Sequence, residues 1–77
     1  MKSLRPILVE LDRPGSIIVY NTITKQANLH GASTASLPVS ADDLLTLFQN
    51  AWIARYESHE GEHRYRITEI GREVSRE

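Results

Sequence analysis

The stretch "SIIVYNTITKQANL", residues 16–29, decides the fold, because it supports two incompatible readings. Ile17, Ile18, Val19, Tyr20, Thr22, Ile23 and Thr24 are β-branched or aromatic, the residue types that fit a pleated, half-buried surface. Val19, Ile23 and Ala27 also fall four apart, on one stripe of a helix. The stripe favours a short extended entry at 16–18 and then a helix running to residue 28. The rival is a hairpin in which "PILVEL" and "SIIVYNTIT" pair across "DRPG".

Upstream, Leu4, Ile7, Leu8 and Leu11 follow the i, i+3, i+4, i+7 spacing of a helical face. With Ser3 as N-cap and Pro6 tolerated in the first turn, a helix is expected over 3–12. "DRPG" ends it, since the residue before a proline is pushed out of the α region. Downstream, "HGASTASLPVS" is small, polar and turn-rich, and reads as a loop. Ser40 then caps a helix over 41–52, "ADDLLTLFQNAW", with Asp42 and Asp43 in the first turn, where the helix dipole favours acid. Leu44, Leu47, Phe48 and Ala51 form its apolar stripe, and Thr46, Gln49 and Asn50 look outward.

From Ile53 the period shortens to two. "IARYES" and "RYRIT" alternate on either side of "HEGEH", the pattern of a β-hairpin. With Glu60 and Gly61 at the tip, Ala54 opposes Ile67, Tyr56 opposes Tyr65 and Ser58 opposes His63 on one face. The other face then pairs Arg55 with Arg66, Glu57 with Arg64 and His59 with Glu62. "HEGEH" also matches H-E-x-x-H, the zinc and general-base signature of metallopeptidases. That chemistry needs a helix to bring both imidazoles to one face, whereas a hairpin throws His59 and His63 apart. No metal site, cofactor or catalytic residue is expected, and the chain is not expected to be an enzyme. Thr68 caps a last helix in "EIGREVSRE".

With 77 residues, a single domain over 1–77 is expected, one that buries about 60% of its unfolded surface. A composition 40% apolar and 25% charged is globular. The lack of cysteine removes disulfides and thiolate zinc sites, which favours a cytoplasmic location. Glu10 and Asp12 break the N-terminal apolar run before it reaches signal-peptide length, and no stretch approaches the roughly 20 apolar residues of a membrane span. The net charge of −1 lacks the basic surplus usual in nucleic-acid binders.

"DDLLTLFQNAWIARYESHEGEHRYRITEIGREV" resembles the second half of a winged helix-turn-helix domain of the MarR-like and PadR-like kind, and "YRITEIGREV" carries most of the likeness. The resemblance implies an α+β winged helix-turn-helix: three helices at 3–12, 19–28 and 41–52, a C-terminal two-stranded wing, and a short final helix. It implies a transcriptional regulator binding double-stranded DNA, and because a single module of this size contacts too little DNA for high specificity, a homodimer is expected. Thr46, Gln49 and Asn50 would read base edges, while Arg55, Arg64 and Arg66 on the wing would meet the backbone. The departures are a long loop between the second and third helices, no basic residue on the third helix, and Ala51 where the family often has glycine. The alternative is a winged-helix module that binds a protein partner rather than DNA, a reading the near-neutral charge and the acidic third helix support.

Overall fold

In a computed structural model, which describes residues 4–31 and 36–77, the ambiguous stretch is a β-hairpin and not a helix. Strands β1 (Ile17–Asn21) and β2 (Gln26–His30) pair antiparallel, with Ile18 opposite Leu29 and Tyr20 opposite Ala27. The turn contains neither glycine nor proline. Asn21 supplies its chemistry: its Oδ1 accepts from the amides of Ile23 (2.9 Å) and Thr24 (3.0 Å), and its carbonyl accepts from the Lys25 amide at 2.8 Å. Lys25 closes the turn in the left-handed region at φ 59°. The apparent helical stripe dissolves, with Ala27 buried, Val19 on the opposite face and Ile23 82% exposed at the tip.

Helix α1 (Arg5–Leu11) forms where the apolar spacing puts it and buries Leu8 and Leu11, so the rival pairing of "PILVEL" with the next segment does not occur. The expected Ser3 cap lies outside the described residues; Leu4 stands at the N-cap without a side-chain bond. Part of the expected loop after β2 is ordered strand, β3 (Leu37–Val39), which pairs with β2 through Ala27–Val39 and Leu29–Leu37.

Strands β4 (Ile53–His59) and β5 (Glu62–Ile67) complete one antiparallel sheet of five strands in the order β3-β2-β1-β5-β4. The winged helix-turn-helix expectation is therefore overturned. The protein is α+β with three helices, but strands occupy the place of the second helix, and the supposed wing is half of a continuous sheet joined to β1 through Ile18–Tyr65 and Tyr20–His63. Directly opposed residues share a face, so Ile18, Tyr20, Ala27, Leu29, Tyr65 and Ile67 lie together. The buried apolar residues on that face form one cluster with Leu8 and Leu11 of α1. Ile17, Val19, Asn28, Arg64 and Arg66 point the other way, onto an open face.

Helix α2 (Ala41–Gln49) adds Leu44 and Leu47 to the cluster and is capped by Ser40, whose Oγ accepts from the Asp43 amide at 3.1 Å. It links β3 and β4, the two edges of the sheet. Four inter-strand gaps span about 19 Å, so the chain must cross the whole covered face. The helix ends earlier than expected: Asn50 is the C-cap and Ala51 turns left-handed at φ 59°. The amide of Trp52 reaches back to the Leu47 carbonyl (3.1 Å) and that of Ala51 to the Phe48 carbonyl (3.0 Å), the two bonds of a Schellman ending.

The β4–β5 hairpin turns at Glu60 and Gly61, as the alternation implied, with Gly61 at φ +80°. Near the tip the expected pairs hold: Glu57–Arg64, Ser58–His63 and His59–Glu62. A bulge between Arg55 and Glu57 then shifts the register, so that Arg55 opposes Tyr65, Ala54 opposes Arg66 and Ile53 opposes Ile67. The expected opposition of Arg55 and Arg66 is absent. In the unbulged register Ile53 would face outward and Ala54 inward; the bulge buries Ile53 to 2% exposure instead. Three extra carbons in the core favour that arrangement by about 2 kcal/mol.

Helix α3 (Glu69–Ser75) is fastened at its first turn. Thr68 Oγ1 accepts from the Gly71 amide (3.1 Å) and donates to the Ala51 carbonyl (2.6 Å), while the Thr68 amide donates to the Trp52 carbonyl (2.9 Å). Gly71 lies so close to that junction that a Cβ would sit 2.2 Å from the Trp52 oxygen and 2.8 Å from Ile67 Cγ1. Thr68 and Gly71 of the threonine–glutamate–x–glycine run thus have a structural role at this junction, as cap and as close-packed glycine.

Candidate interaction surface

The six residues expected to contact DNA do not form one surface. Thr46, Gln49 and Asn50 are exposed on α2, above the covered face of the sheet. Two of them are turned onto their own helix, Thr46 Oγ1 donating to the Asp42 carbonyl (2.9 Å) and Asn50 Nδ2 to the Thr46 carbonyl (2.8 Å). Arg55 opposes Tyr65 and belongs to that same face, whereas Arg64 and Arg66 lie on the open face behind it. A strand layer separates the helix from two of its three supposed basic companions.

Local contacts also hold those two arginines, though only Arg64 has an acidic partner. Arg64 Nε donates to Glu62 Oε2 at 3.0 Å, and Glu57 stands opposite it on β4. The Glu62 hydrogen bond, and then its negative charge, hold the Arg64 guanidinium above its ordinary pKa, so it stays cationic and paired. Arg66 lies over the Tyr56 ring, 5.5 Å from its centroid. The two histidines of "HEGEH" are on opposite faces, His59 against Glu57 and His63 against Ser58 (Oγ to Nδ1 2.9 Å) and stacked on Tyr20. Among the described residues no group of three or more metal-ligating side chains occurs.

What α2 does present is apolar. Leu45 is 54% and Phe48 49% exposed, against the expectation that Phe48 lies in the buried stripe. The helix has more large apolar residues than one stripe can bury: Leu44 and Leu47 face the core, and Leu45 and Phe48 border the cleft beside it. That cleft, about 270 Å³, is floored by Tyr20 and Tyr65 and walled by Ala41, Leu44, Leu45 and Phe48. Phe48 meets Tyr65 edge-on at 5.8 Å between ring centres. Sequence reasoning missed Leu45 and Tyr20. The excess of leucine and phenylalanine over one helical stripe was the signal for Leu45; Tyr20 had none, because its face depended on the hairpin.

Arg55 is the cross-strand neighbour of Tyr65 at one side of this cleft, and among the described residues it meets no carboxylate. At the other end of α2 the charge reverses, with Asp42 and Asp43 in the first turn. No helix among the described residues is long and apolar enough to cross a membrane. No family model matches the sequence, and no curated protein or solved structure matches it significantly.

Proposed function

We propose that the protein is a small interaction domain whose partner is another polypeptide, seated along α2. The observation that carries this reading is the pair Leu45 and Phe48, both half exposed at the rim of a cleft floored by two tyrosines. Large apolar side chains gathered around a concavity are how protein-binding surfaces anchor a partner. The charge pattern sets its chemistry: a segment with an apolar anchor for the cleft, an acidic residue for Arg55 and a basic one for Asp42.

Duplex DNA draws less support. Phosphate binding rests on a basic surface, and α2 offers two aspartates and no lysine or arginine, with Arg64 and Arg66 behind the sheet.

The test is selection from a displayed library of short peptides against the intact protein. Selected peptides should share an apolar residue spaced from an acidic one, and the double variant Leu45→Ala, Phe48→Ala should weaken them at least about tenfold, since central apolar anchors are worth upwards of 1 kcal/mol each. Arg55→Glu should weaken them too. Selected peptides indifferent to all three changes would refute the reading. So would a dimer in sedimentation that Phe48→Asp dissolves, which makes a second copy the occupant.

A further inference from the structure

The α2 cleft also constrains the shape and direction of its occupant, a conclusion that rests on the reading of that cleft as a polypeptide site. At about 270 Å³ it falls below the roughly 300–1,000 Å³ of small-molecule sites and suits anchoring side chains instead. Its surroundings offer a partner backbone nothing to bond. The floor belongs to β1 and β5, interior strands that each pair on both sides, and the wall is α2, whose backbone groups bond within the helix. The two free edges of the sheet are poor templates as well: β3 carries Pro38, which has no amide hydrogen, and β4 is bulged between Arg55 and Glu57. An extended segment in the cleft would leave its amides and carbonyls unpaired where they lose water, whereas a helix satisfies its own.

The side chains of α2 are spaced for a second helix. Ala41 with Leu45, and Leu44 with Phe48, are i, i+4 pairs and form two neighbouring ridges along the cleft, with a groove between them for one row of another helix. α2 has nine residues, so the contact spans roughly two and a half turns.

The two ends of the cleft carry opposite, exposed charges. Asp42 stands in the first turn of α2, and Arg55 stands beside Tyr65, the ring that Phe48 meets from the last turn. Neither has an ion-pair partner among the described residues. A helix is itself stabilised by acid in its first turn and base in its last. Such a segment meets both charges when it runs antiparallel to α2, its first turn at Arg55 and its last at Asp42, an orientation the two helix dipoles also favour.

We infer that the partner is an amphipathic helix docked antiparallel to α2, with an apolar stripe seated between Leu45, Phe48 and Tyr65, acidic residues in its first turn and basic residues in its last.

The experiment uses a synthetic peptide of about 14 residues with a leucine stripe, glutamates in its first turn, lysines in its last and a nitroxide on its first residue. In amide NMR spectra of the intact chain it should give saturable shifts at Leu45, Phe48 and Tyr65. The nitroxide should broaden Ala51 and Arg55 and spare Ala41 and Asp42. Asp42→Lys combined with Arg55→Glu, both at exposed positions, should weaken the peptide at least about fivefold, the worth of two exposed ion pairs. A proline at the centre of the peptide should weaken it roughly a hundredfold. Broadening of Ala41 and Asp42 instead overturns the antiparallel inference, as does full affinity in the charge variant, and full affinity of the proline peptide overturns the helical one; in these cases polypeptide binding at α2 still stands. Absence of shifts at Leu45, Phe48 and Tyr65 overturns the inference too, and if the displayed library also yields no binder, the polypeptide reading of α2 falls with it.

Discussion

The Arg66 guanidinium rests on the Tyr56 ring because Tyr56 is the extra residue of the β4 bulge, skipped in the ladder between Arg55–Tyr65 and Glu57–Arg64. The same bulge breaks a like-charge opposition and moves Ile53 inward beside Ile67. Bulges on edge strands also spoil pairing with other chains, and β4 is an edge. Phase is testable by a pair of substitutions. Ile53→Ala should cost about 3 kcal/mol, as large-to-small core changes do, whereas Ala54→Ser, at an exposed position, should stay within about 0.5 kcal/mol. Urea denaturation measures both. An unbulged ladder requires the opposite order.

The cation–π contact has its own prediction. Tyr56→Phe keeps the ring and should be near neutral, while Tyr56→Ala removes it and should cost about 0.5–1 kcal/mol, the range for an exposed pair. If the double variant with Arg66→Ala shows no coupling between the two sites, the contact adds nothing to stability.

Gly71→Ala sets two effects against each other. Alanine is the better helix former by about 1 kcal/mol, but its Cβ would lie 2.2 Å from the Trp52 carbonyl oxygen, a backbone atom fixed by the Thr68 amide. Overpacking of this kind costs about 3 kcal/mol, so the clash should win and the midpoint of denaturation should fall. A stabilised variant would mean that α3 does not dock as described.

The parts legible in the sequence are those whose period and punctuation agree. Leu8 and Leu11 fix α1, Ser40 with Asp42 and Asp43 opens α2, and Gly61 between two alternating runs makes the β4–β5 tip. The order of helix, hairpin and Thr68-capped helix was also legible, and it was that order which suggested a wing. What distinguishes a wing from half of a sheet is whether β5 has a second neighbour, and that neighbour is β1. Its recognition depended on a turn, "NTITK", that carries no glycine or proline. The candidate surface followed the same fate: Tyr65 and Arg55 share the α2 face only because of the bulge, and no local pattern announces one.

Ala51 holds the left-handed position that ends α2, at φ 59°. A side chain there costs roughly 1 kcal/mol relative to glycine. Ala51→Gly should therefore raise stability by about that amount with α2 unchanged in length, since the Trp52 and Ala51 amides already make both terminal bonds. Unchanged or lowered stability in thermal denaturation would show that the turn is not left-handed.

Lys25 gives the sharpest test of the fold, because hairpin and helix predict opposite signs. In the hairpin Lys25 is left-handed, φ 59°, and Lys25→Gly relieves that strain, stabilising the protein by about 1 kcal/mol. Within a helix over 19–28 the same change destabilises by a similar amount, about 0.8–1 kcal/mol. Asn21→Ala supplies the complementary measurement: it strips the Oδ1 acceptor from the amides of Ile23 and Thr24 and should cost about 1 kcal/mol, as loss of a capping side chain does. In a helix, alanine at 21 would instead stabilise. Only a hairpin turning at Asn21–Lys25 gains from the glycine and loses from the alanine, so both signs reversed in urea denaturation would return the segment to helix and remove β1 and β2 from the sheet.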